Sequence, residues 1–172
     1  LETYHALFFH TYAAHFDFSQ ALPNPGHRFF AALEQTGKEV TVVTQNIDNL
    51  HQSAGSSTVI ELHGNGTRWR TSDRAEPTDA TGISLDAEGI QRDHKGRMVR
   101  PDIVLYGEML DEEAMERAAA AIGAADMLIV IGTSLAVYPA ASFVHYFKGP
   151  YAVLLNRTPV PQSLTFQIAV QT

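Results

Sequence analysis

The chain has 172 residues, a net charge of −7 at pH 7 and a hydrophobic fraction of 45%, which makes it one domain of ordinary size, or one domain with an insert, able to bury a sizeable core. Its acidic balance gives no sign of general nucleic-acid affinity, and with no cysteine it has neither disulfides nor thiolate metal sites. No apolar run approaches the ~18 residues of a membrane-spanning helix, and the first residues lack the basic, apolar and small succession of a signal peptide, so a soluble, cytoplasmic protein with no membrane partner is expected.

Tyr4, Phe8, Tyr12 and Phe16 recur every four residues, which predicts a helix with one aromatic face packed in the core. His5, His10 and His15, five residues apart, drift around that helix and do not form a metal site. Leu22-Pro23-Asn24-Pro25-Gly26 is a break. Asn24 is placed to cap a helix that starts at Pro25, carries Phe29, Phe30 and Leu33 and stops at Gly37. A strand over Glu39–Val43 leads into the polar run Thr44-Gln45-Asn46-Ile47-Asp48-Asn49-Leu50-His51, and Gln52–Gly55 reads as a connection. Thr58–Leu62 is the next strand, delivering His63 at its end.

Residues 65–97 are polar, with scattered Gly, Pro, Asp and Arg and almost no periodicity, the pattern of an inserted subdomain or an irregular excursion. Order returns at Arg100–Glu108. Asp111–Ile122 reads as a helix capped by Asp111 and closed by Gly123. Met127–Ile131 is continuously apolar, as in a parallel strand covered on both faces, and runs into Gly132-Thr133-Ser134. Tyr151–Leu155 is a further strand ending in Asn156-Arg157. This alternation predicts an α/β fold, a doubly wound, Rossmann-like parallel sheet with a small insert. Its strand ends (Gln45/Asn46, His63, Gly132/Ser134, Asn156) gather ligand groups along one edge, as in dinucleotide-binding folds.

Four ordered segments carry a more specific signal: Thr44–His51 with Ala54-Gly55, then Glu61-Leu62-His63-Gly64, then Arg100–Glu108, then Gly132-Thr133-Ser134-Leu135 with Val137-Tyr138-Pro139. Together they resemble the sirtuins, the NAD-dependent protein deacylases. The resemblance implies lysine deacylation that consumes NAD. The acyl oxygen attacks C1′ of the nicotinamide ribose, nicotinamide leaves, a His takes a proton from a ribose hydroxyl, and water releases free lysine and O-acyl-ADP-ribose.

By position, the resemblance makes His63 that general base, a task suited to an imidazole's pKa. It places Asn46 and Asp48 at the nicotinamide and Gln45 at a ribose. Gly132, Thr133 and Ser134 fall at the phosphates and ribose, and Asn156 at the adenosine ribose. Val104, Tyr106 and Val137 become walls of an acyl-lysine tunnel. Gly107-Glu108 and Leu135–Val137 become the edges between which a substrate peptide adds as a strand. His51 reads as a structural histidine that fixes the loop. The implied partners are acyl-lysine proteins or peptides. The implied domains are a helical-module remnant at 1–22, the NAD-binding domain at 23–64 and 100–172, and a reduced zinc-ribbon-like insert at 65–99.

The chain departs from the family in three ways. The two cysteine pairs of the family's zinc ribbon fall on Thr71 and Arg74 and on Arg92 and Lys95. None is a thiolate, and His94 alone does not replace four ligands, so no zinc is expected and the lobe should be polar and weakly packed. Asp73, Glu76 and Asp79 facing Arg74, Arg92 and Lys95 would staple it by exposed ion pairs worth ~0–1 kcal/mol each. Next, residues 1–22 do not match the family's opening strand, its Gly-Ala-Gly diphosphate loop or its Pro-Asp-Phe-Arg segment. Leu1–Phe18 resembles the helical part that follows them, and the last strand and helix read as shortened after Phe166. A chain without that loop is expected to bind NAD poorly. Finally, residues 8–15 contain no Arg to meet a succinyl or malonyl group, which favours neutral acyls. The alternatives are an ADP-ribosyltransferase or NAD hydrolase, and a non-catalytic NAD- or ADP-ribose-binding module. The complete Gln45/Asn46/Asp48/His63 set favours deacylation.

Overall fold

Local side-chain chemistry sets where the first helix begins. The Asn24 side chain accepts from the His27 N–H (3.1 Å) while the Asn24 N–H donates to His27 Nδ1 (3.2 Å), a reciprocal cap with His in the usual Glu or Gln position. Pro25 follows at the first turn, where its missing N–H costs nothing. Helix α1 runs Pro25–Gln35 and the chain turns out at Gly37, as expected. The computed structural model describes Tyr12, Phe18 and residues 20–73, 76–160, 166 and 168–171. Tyr4, Phe8, Phe16, the three early histidines and Arg74 lie outside them. Tyr12 is helical and buried, its hydroxyl donates to the Gly66 carbonyl (3.3 Å), and burial pushes its pKa up to about 12.

The chain divides into two compact units, Leu1–Met109 and Leu110–Thr172. In the first, β1 (Val42–Thr44) pairs in parallel with β2 (Val59–Glu61), Val43 opposite Ile60. The strand expected over Glu39–Val43 is therefore shifted toward the polar run, because its three-residue partner fixes which residues find a ladder. The connection expected at Gln52–Gly55 begins inside a short helix, α2 (Leu50–Ser53), which takes in Gln52 and Ser53. Asp48 Oδ1 accepts from the Leu50 N–H (3.0 Å) and so starts that turn.

The polar stretch that followed no period is ordered β-structure. β3 (Gly64–Thr71) lies antiparallel between β4 (Pro77–Thr78) and β7 (Val99–Ile103), and β5 (Ser84–Leu85) pairs antiparallel with β6 (Gln91–Arg92). Its turns repeat one device, Asp-x-x-Gly. Asp79 Oδ1 accepts from Thr81 N, Asp86 Oδ1 from Glu88 N and Ile90 N, and Asp93 Oδ1 from Lys95 N and Arg97 N. The glycines that follow, at 82, 89 and 96, take positive φ. The expectation of a weakly packed excursion is thus corrected: Val99 is fully buried, and Thr71 and Asp93 are buried. The ion pairs also differ from those expected. Arg92 pairs with Asp86 (2.6 Å), and Arg97 bridges Asp93 (2.8 Å) and Glu76. Asp73 bonds the Thr71 hydroxyl and Asp79 the Thr81 hydroxyl.

In the second unit, α3 (Glu112–Ala124) starts as expected, with Asp111 Oδ1 accepting from Ala114 N (2.8 Å). It does not stop at Gly123 but runs through it. A Cβ there would lie 3.5 Å from the Tyr146 carbonyl, an ordinary contact, so the glycine neither ends the helix nor is required by the packing. Three parallel strands follow, β8 (Met127–Ile131), β9 (Tyr151–Asn156) and β10 (Ile168–Gln171), in the order β10-β9-β8. β10 was not expected. A 3₁₀ helix spans Ala140–Tyr146. The core is Val130, Val144, Leu154 and Val160, with Leu128, Leu135 and Phe166 packed on it. The ends of β8, Met127 and Ile131, are exposed, so the double covering expected of this strand holds only at its centre.

Candidate active site

His63 sits one residue past the buried Leu62, whose N–H extends the β1–β2 ladder to the Thr44 carbonyl (2.9 Å). Its Nδ1 lies 3.1 Å from the Gln45 carbonyl. A carbonyl can only accept, so the proton belongs on Nδ1 and Nε2 keeps its lone pair. The His63 carbonyl accepts from Val104 N (3.0 Å). The next residue permits no side chain: Gly64 has φ +76°, and a Cβ would stand 2.1 Å from the Asp102 carbonyl. This sharp exit lets β3 turn away along β7 and leaves the imidazole at the strand end.

The run Gln45–Asn49 is shaped by its own polar groups. Asn46 N donates to Thr44 Oγ1 (3.0 Å), and the Asn46 residue is exposed. Asp48 uses one oxygen on Leu50 N. Asn49 takes the left-handed conformation (φ 62°), and the Ile47 carbonyl accepts from Gly66 N (2.8 Å). The His51 ring meets the His27 ring edge-on at 4.6 Å. Burial, and then His27, hold the His51 pKa below its ordinary value against the pull of Asp48.

Two residues missed by sequence reasoning organise this loop. Asn65, 1% exposed, donates to Asn49 Oδ1 (2.8 Å) and Glu61 Oε1 (2.5 Å) and accepts from the Thr67 N–H (2.9 Å) and hydroxyl (2.7 Å). Glu61 further accepts from Gln52 Nε2 (2.6 Å) and Arg68 Nη2 (2.6 Å). The available signal was their place, two residues to either side of His63.

From β7, Arg100 Nη2 donates to Glu108 Oε1 (2.7 Å); in the loop after the strand Glu108 Oε2 accepts from Leu105 N (3.0 Å), and Glu108 N donates to the Leu105 carbonyl (3.0 Å). Glu108, expected at a substrate edge, therefore spends its carboxylate and its N–H on shaping its own loop. The outward residues are Tyr106 and Gly107, while Val104 is half-buried.

In the second unit, Gly132 has φ +61° and its N–H donates to the Leu155 carbonyl (3.0 Å). Thr133 Oγ1 accepts from Leu135 N (3.1 Å). The buried Asn156 gives both amide protons away, to the carbonyls of Thr133 (2.9 Å) and Thr158 (2.8 Å). Ser134 and Val137 are exposed. At the ribbon positions, the Thr71 hydroxyl is bound to Asp73 and Glu76 N, the Arg92 guanidinium to Asp86, and Lys95 is exposed. Among the described residues no group of three or more His, Asp or Glu is placed to hold a metal.

Parallel strands ending in an imidazole, an amide–carboxylate loop and a glycine-led turn define an α/β protein of the dinucleotide-binding class. The Sir2 family model matches residues 2–139, and the chain belongs to the Sir2 family. It is 49% identical, over 87% of its length, to an NAD-dependent protein deacetylase of Cutibacterium acnes, of which it spans 60%. It is 42% identical, over 95% of its length, to one of Clostridium tetani, of which it spans 66%. The chain thus covers less than two thirds of these relatives. A solved structure of Sir2 bound to acetylated peptide aligns over 99% of this chain and 74% of its own, with a TM-score of 0.88 at 31% identity. A Sir2 structure with p53 peptide and NAD+ aligns over 95% and 71%, with a TM-score of 0.83 at 34% identity. No helix among the described residues is long and apolar enough to cross a membrane.

Proposed function

We propose that this chain carries the base-bearing part of an NAD-dependent protein-lysine deacetylase. The observation that supports it most is His63, fixed at a strand end by Gln45 through Nδ1 and by Val104 through its carbonyl, with no hydrogen bond to Nε2 among the described residues. NAD, when bound, would supply an electrophilic ribose carbon and nicotinamide as leaving group. His63 would take a hydroxyl proton at Nε2, and the Gln45 carbonyl would stabilise the charged ring through the Nδ1–H. Asn46 and Asp48 would hold the carboxamide with an exposed amide and the second carboxylate oxygen. Gln45 would meet a ribose, Gly132, Thr133 and Ser134 would lie against phosphate and ribose, and Asn156 Oδ1 would accept from a ribose hydroxyl. In the first unit Val104 and Tyr106 would contact the acyl-lysine and the Gly107 backbone the peptide; in the second, Val137 and the Leu135–Val137 backbone would serve the same ends.

The insert at 65–99 does not fit a four-thiolate zinc, since no cysteine exists in the chain and, of the described ribbon positions, Thr71 and Arg92 serve other bonds and Lys95 is exposed. We infer a lobe held by Asp-x-x-Gly turns and by Arg97 and Arg92 ion pairs, with no metal required. Acetyl and other neutral acyls are the inferred substrates.

Full-length protein incubated with acetyl-lysine peptide and NAD is expected to release nicotinamide and O-acetyl-ADP-ribose, and His63→Ala to abolish acyl transfer. Nicotinamide release without acyl transfer would point instead to NAD hydrolysis, and neither product to a binding module. Faster turnover of succinyl- than acetyl-lysine peptide would overturn the neutral-acyl reading.

A further inference from the structure

Within unit one, the loop assigned above to nicotinamide has no regular ladder of its own, yet it is tied at one buried point. Asn65 fills all four of its hydrogen-bonding positions. The Thr67 N–H can only donate, so it fixes the Asn65 Oδ1 end of the amide, and Nδ2 must then face Asn49 Oδ1 and Glu61 Oε1. One amide therefore joins three things: the left-handed turn at Asn49, the strand residue two before His63, and the strand that leaves two after it. Gln52 and Arg68, both on Glu61, close the cluster from the α2 side and the β3 side. The loop is closed again beside it, where Gly66 N donates to the Ile47 carbonyl.

We infer that Asn65 is a positioning residue, holding Asn46 and Asp48 at a fixed setting relative to His63 through Asn49. This rests on the deacetylase reading for its consequence, but not for its geometry. Asn65 touches no reacting atom; its effect passes through Asn49. A loop so held is already ordered before its ligand arrives, which lowers the cost of binding.

Asn65→Ala strands four polar groups on three residues in a buried place and is prone to unfold, so the decisive variant is Asn49→Gly. Glycine keeps the left-handed turn and deletes the side chain that Asn65 holds. Ser53→Ala is the control, because it removes only the long Asn49–Ser53 contact (3.5 Å). In the full-length protein, Asn49→Gly is expected to speed amide exchange at Leu50 and Gly66 by about two- to tenfold, the scale of one lost hydrogen bond. Exchange in β7 should stay unchanged, and Ser53→Ala should match wild type. The KM for NAD should rise by a similar factor, with the KM for acetyl-peptide unmoved. Unchanged exchange at Leu50 and Gly66 overturns the proposal whatever the activity. Faster exchange with an unmoved KM for NAD reduces Asn65 to a structural residue and also overturns it. If the wild type turns over no peptide, the deacetylase reading falls, and the exchange measurement still decides whether Asn65 holds the loop.

Discussion

The Arg100 guanidinium, 2% exposed as a residue, reaches across the base of a four-residue loop to the Glu108 carboxylate at 2.7 Å. The other Glu108 oxygen takes the Leu105 N–H, so one carboxylate closes both the pair and the loop. Glu108→Gln keeps the shape but leaves a buried cation without its counter-charge. A loss of about 2–3 kcal/mol is expected from denaturant unfolding. An unchanged midpoint would show that water replaces the carboxylate there.

Gly64→Ala is the harshest single change expected in the first unit. The residue needs a positive φ, and the new Cβ would run into backbone, not into a movable side chain. A loss of about 3 kcal/mol or more is expected, together with loss of β3–β7 amide protection. Native stability in this variant would mean that the strand exit at His63 can be rebuilt another way.

The His27–His51 contact makes the loop sensitive to mild acid. The folded pKa of His51 is lowered, first by burial and then by His27. The unfolded chain therefore binds more protons once pH falls below the ordinary 6.5. Stability from this group is complete above that pH and declines as pH drops toward the folded value. His27→Gln retains a side chain suited to the Asn24 cap and removes the neighbouring imidazole. The His51 ring is expected to titrate at higher pH in this variant by proton NMR, and an identical titration curve would rule out the coupling.

The insert should fail at a lower pH. The hydrogen bond from Arg97 holds Glu76 below its ordinary range, and backbone N–H groups, Ile90 first, do so for Asp86. At Asp93 burial works the other way, but bonds from Arg97 and Lys95 prevail. Their stabilisation is present above about pH 4 and is lost as pH falls through the depressed folded values. Trp69, the single tryptophan, lies on β3 opposite Thr78 and Pro101 and reports the lobe by fluorescence. Its signal is expected to change on acidification below that range and to ignore chelator at neutral pH. A chelator-induced change would overturn the metal-free reading.

What the sequence made legible was the chemistry that acts between near neighbours. Asn24 and Asp111 cap helices with bonds three residues long, and both were readable. The continuous apolar run of β8 was readable for the same reason. β10 was not, because Ile168–Gln171 becomes a strand only where β9 offers an edge. In the insert the signal was present in another form. Two-residue strands carry no period, but Asp79, Asp86 and Asp93 each precede a glycine by three residues, which is turn chemistry repeated three times. Within the candidate site, His63 and the Gln45–Asp48 run could be picked out by residue type and motif. Glu61 stood in the His63 motif without a role, and Asn65 and the inward turn of Glu108 were not picked out, since each gains its role from a partner brought close by folding.

The Val104 N–His63 O hydrogen bond has a practical corollary for engineering. Leu105, Tyr106 and Gly107 form a short cassette with both ends anchored, one at the peptide of His63 and the other at the Glu108 carboxylate. Leu105 and Tyr106 can be exchanged while the anchoring bonds stay in place, whereas Gly107, at φ +87°, must stay glycine. A library varied at Leu105 and Tyr106, with Gly107 kept for its positive φ, would test whether this loop sets the acyl preference that the proposed deacetylase reading assigns to it.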